Sequence, residues 1–236
     1  MDSEEKNNIG NKYIILNERP IGEGNFSKGY LVEDKNTKMQ YAAKVLNERD
    51  DSFDKEVSIH QKVSSLNNRY IIKYEDSGEG LVKIDTNNDN KQCLIMEHAS
   101  KGILFDYIYH SQICLKEIQA KLIFKKILLG VKAIHEANFC HLDLKIENIL
   151  MDESFNPKIG DFGLAETIDE ISKCCGTESY MTPEIIYNFN YYRFKAVIFS
   201  LGVILFFLVT SKKPFKLASH KDPDYCYIII KNKDLY

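Results

Sequence analysis

Between His141 and Leu150 the chain reads HLDLKIENIL, so that two acids, Asp143 and Glu147, one lysine, Lys145, and one amide, Asn148, lie close together between apolar neighbours. A carboxylate so placed can take a proton from a hydroxyl, an ammonium can steady a phosphate, and carboxylate or amide oxygens suit a hard cation. The same stretch also reads as a polar end to a helix, and its neighbours decide between the two. Further on, KIGDFGLAE sets Asp161 directly after an apolar, strand-like run. Asp143, Asn148 and Asp161 are therefore candidates to meet as oxygen ligands of Mg²⁺, which commonly combines one or two carboxylates with substrate phosphates.

Upstream, IGEGNFSKGYLV carries Gly22, Gly24 and Gly29. A dinucleotide-binding turn would lead into a helix, whereas the residues that follow here, YLVED, are strand-like, and no GKS or GKT marks a P-loop. Strand, glycine loop and strand make a hairpin. Its backbone N–H groups can lie over phosphates because no Cβ blocks the approach, although read by itself it is also simply a flexible turn. Lys44 follows in YAAKVL, on the next strand, where a cation could reach α- and β-phosphates, and Glu56 in DKEVSIHQKV is an acid able to pair with it. A surface lysine is the alternative reading of Lys44.

The elements that must position these residues change character along the chain. The first third alternates apolar runs with polar turns (YIILNERPIG, YLVED, YAAKVL, then, past a charged helical stretch, IIKYEDSG, LVKID and QCLIMEHA), which predicts a mostly antiparallel sheet with one inserted helix and a turn at TNNDNK. After Leu104 the apolar residues Ile123, Ile127, Val131 and Ile134 recur at the spacing that stacks side chains on one helix face. A helical region therefore begins there, and Glu97 to Gly102 is the expected hinge. There is no internal repeat and no long linker.

A chain of 236 residues buries a real core and suits one domain or two small lobes. With 31 Lys and Arg against 34 Asp and Glu, evenly mixed, it lacks the electrostatic footprint of a nucleic-acid binder, and SKKPFK reads as solvated surface. The 6 cysteines form no CxxC pair, which points to reduced thiols in an intracellular, cytoplasmic setting, with the nucleus left open. The start, MDSEEKNNIGNKY, is acidic where a signal peptide would be basic and then apolar. The apolar run AVIFSLGVILFFLVT is shorter than the roughly 20 residues that span a bilayer, so a buried core helix and no membrane partner are expected.

In order along the chain stand the glycine loop at 22–29, YAAK ending at Lys44, the helix acid Glu56, HLDLKIEN at 141–148, DFG at 161–163 and TPE at 182–184. Together they resemble the protein kinase family. The resemblance implies an α+β, bilobal fold, with a small antiparallel-sheet N-lobe carrying one helix and a mainly helical C-lobe. It implies a polar tail at 1–12 and a kinase domain at 13–236, divided into N-lobe 13–97, hinge 97–102 and C-lobe 103–236. By the family pattern Lys44 would bind the α- and β-phosphates of ATP and pair with Glu56, Asp143 would receive or orient the substrate hydroxyl proton, and Asn148 and Asp161 would hold Mg²⁺. Lys145 would steady the γ-phosphate, with Thr177 beside it. Met96 would be the gatekeeper, Glu97 and Ala99 would offer backbone groups to adenine, and Ile21, Gly22, Gly24, Ser27, Gly29, Ala42, Glu147 and Leu150 would line the nucleotide. The lysine of HLDLKIEN, with Thr177 in GTESY, is similar to the serine/threonine branch, and the stretch from PFKLAS onward is similar to calcium/calmodulin-dependent-type kinases. The implied activity is ATP- and Mg-dependent transfer of the γ-phosphoryl group to serine or threonine hydroxyls of protein substrates.

The pattern is broken in the scaffold around the chemistry. Ser27 stands for the third loop glycine, and Gly29 stands where the family has a valine over the adenine, which implies weaker ATP binding. Leu142 replaces the arginine before Asp143, Val197 replaces the aspartate of DxWSxG, and Ile103 replaces an acid that in many relatives contacts the ribose and a basic substrate residue. The family's helical lobe continues past the equivalent of Tyr236 and supplies an arginine to the acid equivalent to Glu184. An incomplete C-lobe, exposed apolar surface and a partner covering it are therefore expected. The alternative to an enzyme is a catalytically weak nucleotide-binding pseudokinase or scaffold, or a non-functional fragment. The complete set Lys44, Glu56, Asp143, Lys145, Asn148 and Asp161 favours chemistry. Lys173 occupies the usual phosphoacceptor position and Leu142 that of its partner, so no phosphorylation switch is expected, and Thr177 is expected to touch Asp143 and Lys145.

Overall fold

The computed structural model describes residues 8–17, 19–81, 90–110, 115–168 and 175–231. The chain divides into two compact units, one formed by Met1–Asn67 with Ile72–Ser100, the other by Asn68–Ile71 with Lys101–Tyr236.

The first unit is an antiparallel sheet with one helix. Its strands are β1 (Asn8–Ile9), β2 (Tyr13–Ile15), β3 (Gly22–Glu23), β4 (Ser27–Asp34), β5 (Gln40–Leu46), β6 (Tyr74–Leu81) and β7 (Asn90–Glu97), with helix α1 (Phe53–Ser64) between β5 and β6. The strand order is β1-β2-β4-β5-β7-β6, and β3 pairs with β4 off that path. Because side chains alternate across a strand, register sorts the residues onto two faces. Tyr30 lies opposite Ala43, and Ala43 opposite Ile95. These join Ile9, Tyr13, Ile15, Val32, Val45 and Cys93 in one apolar cluster. The opposite face carries Leu46 and Leu94, which pack on Phe53 and Val57 of α1. Lys44 has the parity of Leu46, so its side chain emerges on the helix face.

The polar start expected up to residue 12 instead contributes a strand, since Asn8 and Ile9 pair with Ile14 and Tyr13 and Ile9 is buried. Gly10, with φ of +55°, makes the turn that allows this. Of the expected strand LVKID, Leu81 ends β6, and the remainder, with most of TNNDNK, lies outside the described residues.

The second unit is mainly helical: α2 (Leu104–Tyr109), α3 (Glu117–Glu136), α4 (Pro183–Ile186), α5 (Arg193–Thr210) and α6 (Pro223–Lys231), with the short strands β8 (Phe139–Cys140), β9 (Ile149–Met151), β10 (Pro157–Ile159) and β11 (Glu166–Thr167). β9 pairs with β10 and β8 with β11, both antiparallel. Ile127, Val131 and Ile134 of α3 are buried as their spacing predicts. Gly130 on the same face is required by packing, because a Cβ there would lie 2.8 Å from Ile159 Cδ1 and 3.1 Å from Tyr70 O. Helix α5 begins three residues before the apolar run and is long and apolar enough, by length and composition, to cross a membrane; half of it is buried inside this unit. Its exposed side carries Ile198, Leu205, Phe206 and Val209.

Candidate active site

The second unit assembles its polar residues on the loop between β8 and β9. β8 delivers His141 into the interior, where its Nε2 bonds Gly160 O at 2.9 Å and its ring lies 5.3 Å from that of Phe162. Burial holds its pKa below the ordinary histidine value. Leu142 then takes φ of +57°, reversing the chain, and Asp143 N donates to His141 O at 2.8 Å. The turn presents the Asp143 carboxylate to three partners, of which the Asn148 amide donates to Oδ2 at 3.4 Å. Thr177 Oγ1 donates to Oδ1 at 2.7 Å and Lys145 Nζ donates to Oδ2 at 2.7 Å. Lys145 also donates to Thr177 Oγ1 at 2.9 Å, which closes a ring of three side chains. Two of the ammonium's three N–H groups are thus engaged and one remains for an anion. Thr177 reaches this loop because Gly176, at φ of +111°, passes so close that a Cβ would meet Leu142 O at 2.8 Å.

Of the three oxygen donors considered for a cation, Asn148 and Asp161 lie in the same unit as Asp143. Asn148 Nδ2 donates to Asp143 O at 2.9 Å, so its amide oxygen points elsewhere. Gly160 N donates to Asn148 O at 3.0 Å, which ties the residue preceding Asp161 to Asn148. Asp161 is exposed and sits at φ of +62°. Among the described residues no group of three or more His, Cys, Asp or Glu side chains is poised around a metal. One carboxylate and one amide oxygen, both hard, fit Mg²⁺ where phosphates complete its shell.

Around this loop stand residues that the sequence reading did not single out. Tyr180 is buried, and its hydroxyl donates to Glu147 Oε2 at 2.9 Å while Lys213 Nζ lies 3.2 Å from Glu147 Oε1. Burial raises the Tyr180 pKa far above the ordinary phenol value. Arg193, also buried, pairs with Glu166 Oε2 at 3.0 Å and donates to Thr167 O, anchoring β11 to α5. No periodicity marks either cluster; an arginine at the head of the apolar run was the available signal for one, and nothing in the polar stretch GTESYMTPE singled out Tyr180. Leu142 and Val197, two of the replaced positions, line one small void of about 10 Å³ beside Asp143. Lys173 lies outside the described residues.

The first unit holds the other candidates. Gly22 lies opposite Gly29 in the β3–β4 hairpin, Ile21 N donates to Gly29 O at 2.8 Å, and Gly24 N donates to Ser27 O at 2.9 Å across the tip. Gly29 lies opposite Lys44 on β5. Lys44 Nζ meets Glu56 Oε1 at 2.6 Å, with the carboxylate side chain 7% exposed. Ala42 lies opposite Met96. Glu97 N donates to Lys73 O at 2.9 Å, and Glu97 Oε2 accepts from Lys73 N at 3.2 Å. Ala99 is 7% exposed, yet among the described residues neither its N–H nor its carbonyl enters a hydrogen bond. Buried main-chain groups of this kind ordinarily have a partner. In the second unit, Leu150 lies opposite Lys158 and forms an isolated bridge with Ile103.

Comparison with known proteins agrees with this inventory. The family model described as Protein kinase domain matches residues 15–232. The human NUAK family SNF1-like kinase 2 is 33% identical over 228 residues, covering 92% of this chain and 34% of that protein. Two Dictyostelium discoideum proteins are similar over somewhat shorter stretches. The probable serine/threonine-protein kinase MARK-B is 35% identical over 208 residues, 85% of this chain and 28% of its own length. A probable myosin light chain kinase is 36% identical over 211 residues, 83% of this chain and 40% of its own length. The chain thus spans about a third of the length of the curated relatives it matches. With a family model covering nearly all of it, the chain belongs to the protein kinase domain family.

Proposed function

We propose that the chain transfers the γ-phosphoryl group of ATP, with Mg²⁺, to serine or threonine hydroxyls of protein substrates. The observation that carries this reading is the closed set of Asp143, Lys145 and Thr177, with Asn148 and Gly160 tying Asp161 to the same loop. Asp143 receives or orients the hydroxyl proton, which places an oxygen nucleophile beside an ammonium. The remaining N–H of Lys145 steadies charge on the phosphoryl oxygens. Thr177 keeps the Asp143 carboxylate and the Lys145 ammonium in fixed register, and positioning of this kind supplies most of the catalysis in phosphoryl transfer. Asn148 and Asp161 would hold Mg²⁺, which would offset the negative charge of the phosphates when bound. In the first unit, Lys44, oriented by Glu56, is the cation for the α- and β-phosphates, the glycine hairpin offers N–H groups to them, and Ala99 offers its free main-chain groups to the adenine edge. The relatives whose names include serine/threonine-protein kinase support a hydroxyl acceptor.

The test is incubation of purified chain with Mg²⁺, labelled ATP and a serine-containing protein substrate, beside an Asp143→Asn variant. Label on serine in the parent and its loss in the variant is the expected result. Equal labelling in both, or none in the parent, removes the reading.

A further inference from the structure

The tip of the glycine hairpin is held from outside the hairpin. Strand β5 ends at Leu46, and the next residue, Asn47, meets two consecutive carbonyls of the tip: its main-chain N–H donates to Phe26 O at 2.9 Å and its side-chain Nδ2 donates to Asn25 O at 3.1 Å. Only the amide nitrogen can donate to a carbonyl oxygen, which fixes the orientation of this side chain. Asn47 is secured in turn, because Lys91 Nζ on β7 donates to its carbonyl. The loop beyond it is tied to the same pair of strands, with Asp50 N donating to Gln92 Oε1 at 2.8 Å and Arg49 Nη1 lying 3.2 Å from Glu79 Oε1. Phe26 is 82% exposed, so its ring adds little packing to fix the tip, and the hold comes from these polar contacts.

The bond to Asn25 O has a directional consequence. No peptide bond here is cis, and in a trans peptide unit the C=O and N–H groups point opposite ways. Anchoring Asn25 O on Asn47 therefore aims Phe26 N–H away from Asn47. Gly24 N is engaged by Ser27 O at 2.9 Å, whereas among the described residues neither Asn25 N nor Phe26 N enters a hydrogen bond. With its carbonyls occupied, the tip thus has N–H groups to offer an anion, and carbonyl lone pairs that would repel one are turned aside.

Resting on the phosphoryl-transfer reading for its ligand, we propose that Asn47 is a positioning residue for the nucleotide phosphates: its side chain holds the Asn25–Phe26 peptide unit so that the Phe26 N–H faces a phosphate oxygen. The main-chain bond from Asn47 to Phe26 O does not depend on the side chain. Substitution at Asn47 therefore removes one bond, to Asn25 O, and lets that single peptide unit rotate.

The experiment titrates ATP with Mg²⁺ and, separately, adenosine into the full chain by calorimetry, in the parent, Asn47→Ala and Asn47→Asp. Asn47→Ala should weaken ATP binding by roughly two- to tenfold, the range of one neutral hydrogen bond, with the thermal midpoint nearly unchanged. Asn47→Asp, of the same size but with no N–H to donate, should weaken it at least as much. Adenosine carries no phosphate, so its affinity should be the same in all three. Equal ATP affinity in the parent and Asn47→Ala, parent-like ATP binding by Asn47→Asp, or an equal loss for adenosine and ATP would overturn the proposal. Transfer to a serine substrate is read separately at saturating ATP. Tight ATP binding that depends on Asn47 without any transfer defeats the transfer reading and leaves this one standing, and transfer with an ATP affinity indifferent to Asn47 does the reverse.

Discussion

The two units hold their charged residues by different means. In the sheet unit Lys44 is oriented by the Glu56 carboxylate, 2.6 Å away and nearly enclosed between sheet and helix, while the hairpin above it is exposed and its tip crossed by one main-chain bond. In the helical unit Asp143, Lys145 and Thr177 each bond both of the others, and Asn148 reaches Asp143 as well. The side chains are about equally enclosed, 19% and 7% exposed for Lys44 and Glu56 against 22% and 11% for Lys145 and Asp143, so the difference lies in redundancy: removing one member of the pair takes away the contact that orients the other, whereas each member of the ring keeps a second link. The sheet unit should therefore report damage chiefly as lost stability, the helical unit chiefly as lost rate.

Asp143→Asn is the strongest test of that contrast. Transfer should fall by roughly 10²- to 10⁴-fold in a single-turnover assay, with the thermal midpoint nearly unchanged. Lys44→Met should show the converse emphasis, lowering stability by about 1–3 kcal/mol in urea titrations as Glu56 loses its cation, whereas Lys145→Met should cost less than about 1 kcal/mol. If the two lysine variants destabilise equally, the contrast is wrong. Thr177→Ala should cut kcat about tenfold, or about 1.4 kcal/mol, and Thr177→Ser should restore it, because only the hydroxyl enters the ring.

Gly29→Val should sharpen the picture of the sheet unit. A Cβ there meets only ordinary contacts, with Gly22 O at 3.6 Å and Ile21 Cγ1 at 3.7 Å, so a side chain can begin at this position without a clash at Cβ. The added methyls supply apolar surface worth about 1 kcal/mol, and the KM for ATP should drop about fivefold. A rise in KM would show that the hairpin needs glycine there.

The smallest effect is on pH. His98 in the sheet unit and His135 and His141 in the helical one all have pKa values lowered by burial. Each is neutral in the folded state and binds a proton more readily when unfolded, so its contribution to stability is present above the unfolded value near 6.5 and is lost as pH falls below it. The thermal midpoint should decline between about pH 7 and about pH 5, before the carboxylates with lowered pKa values, such as Asp152, are affected. His135→Phe should flatten that slope, since among the described residues the buried Nε2 of His135 has no hydrogen-bond partner and its ring already packs 4.4 Å from that of Phe194.

Much of this was legible before any coordinates. Alternation in YAAKVL placed Lys44 on a strand, helical spacing placed Ile127, Val131 and Ile134 on one face, and the ordered motifs named Asp143, Asn148 and Asp161. The misjudged start is instructive. Ile9 looked like part of a polar tail because a two-residue strand has no periodicity to read, and its burial depends on a sheet edge made by residues far along the chain.

Backbone period and local polarity are properties of neighbouring residues, which is why order along the chain sufficed for family, strand, helix and the principal polar residues. The contacts that give those residues their tasks join distant segments. Thr177 meets Asp143 across 34 positions, and Tyr180 meets Glu147 across 33. Whether Glu147 is free or held by Lys213, and whether Arg193 faces solvent or clamps Glu166, depends on how α5 and the loop after it pack against β8 and β11. That is settled by burial and by the need of every buried polar group for a partner, and neither can be read from one segment alone.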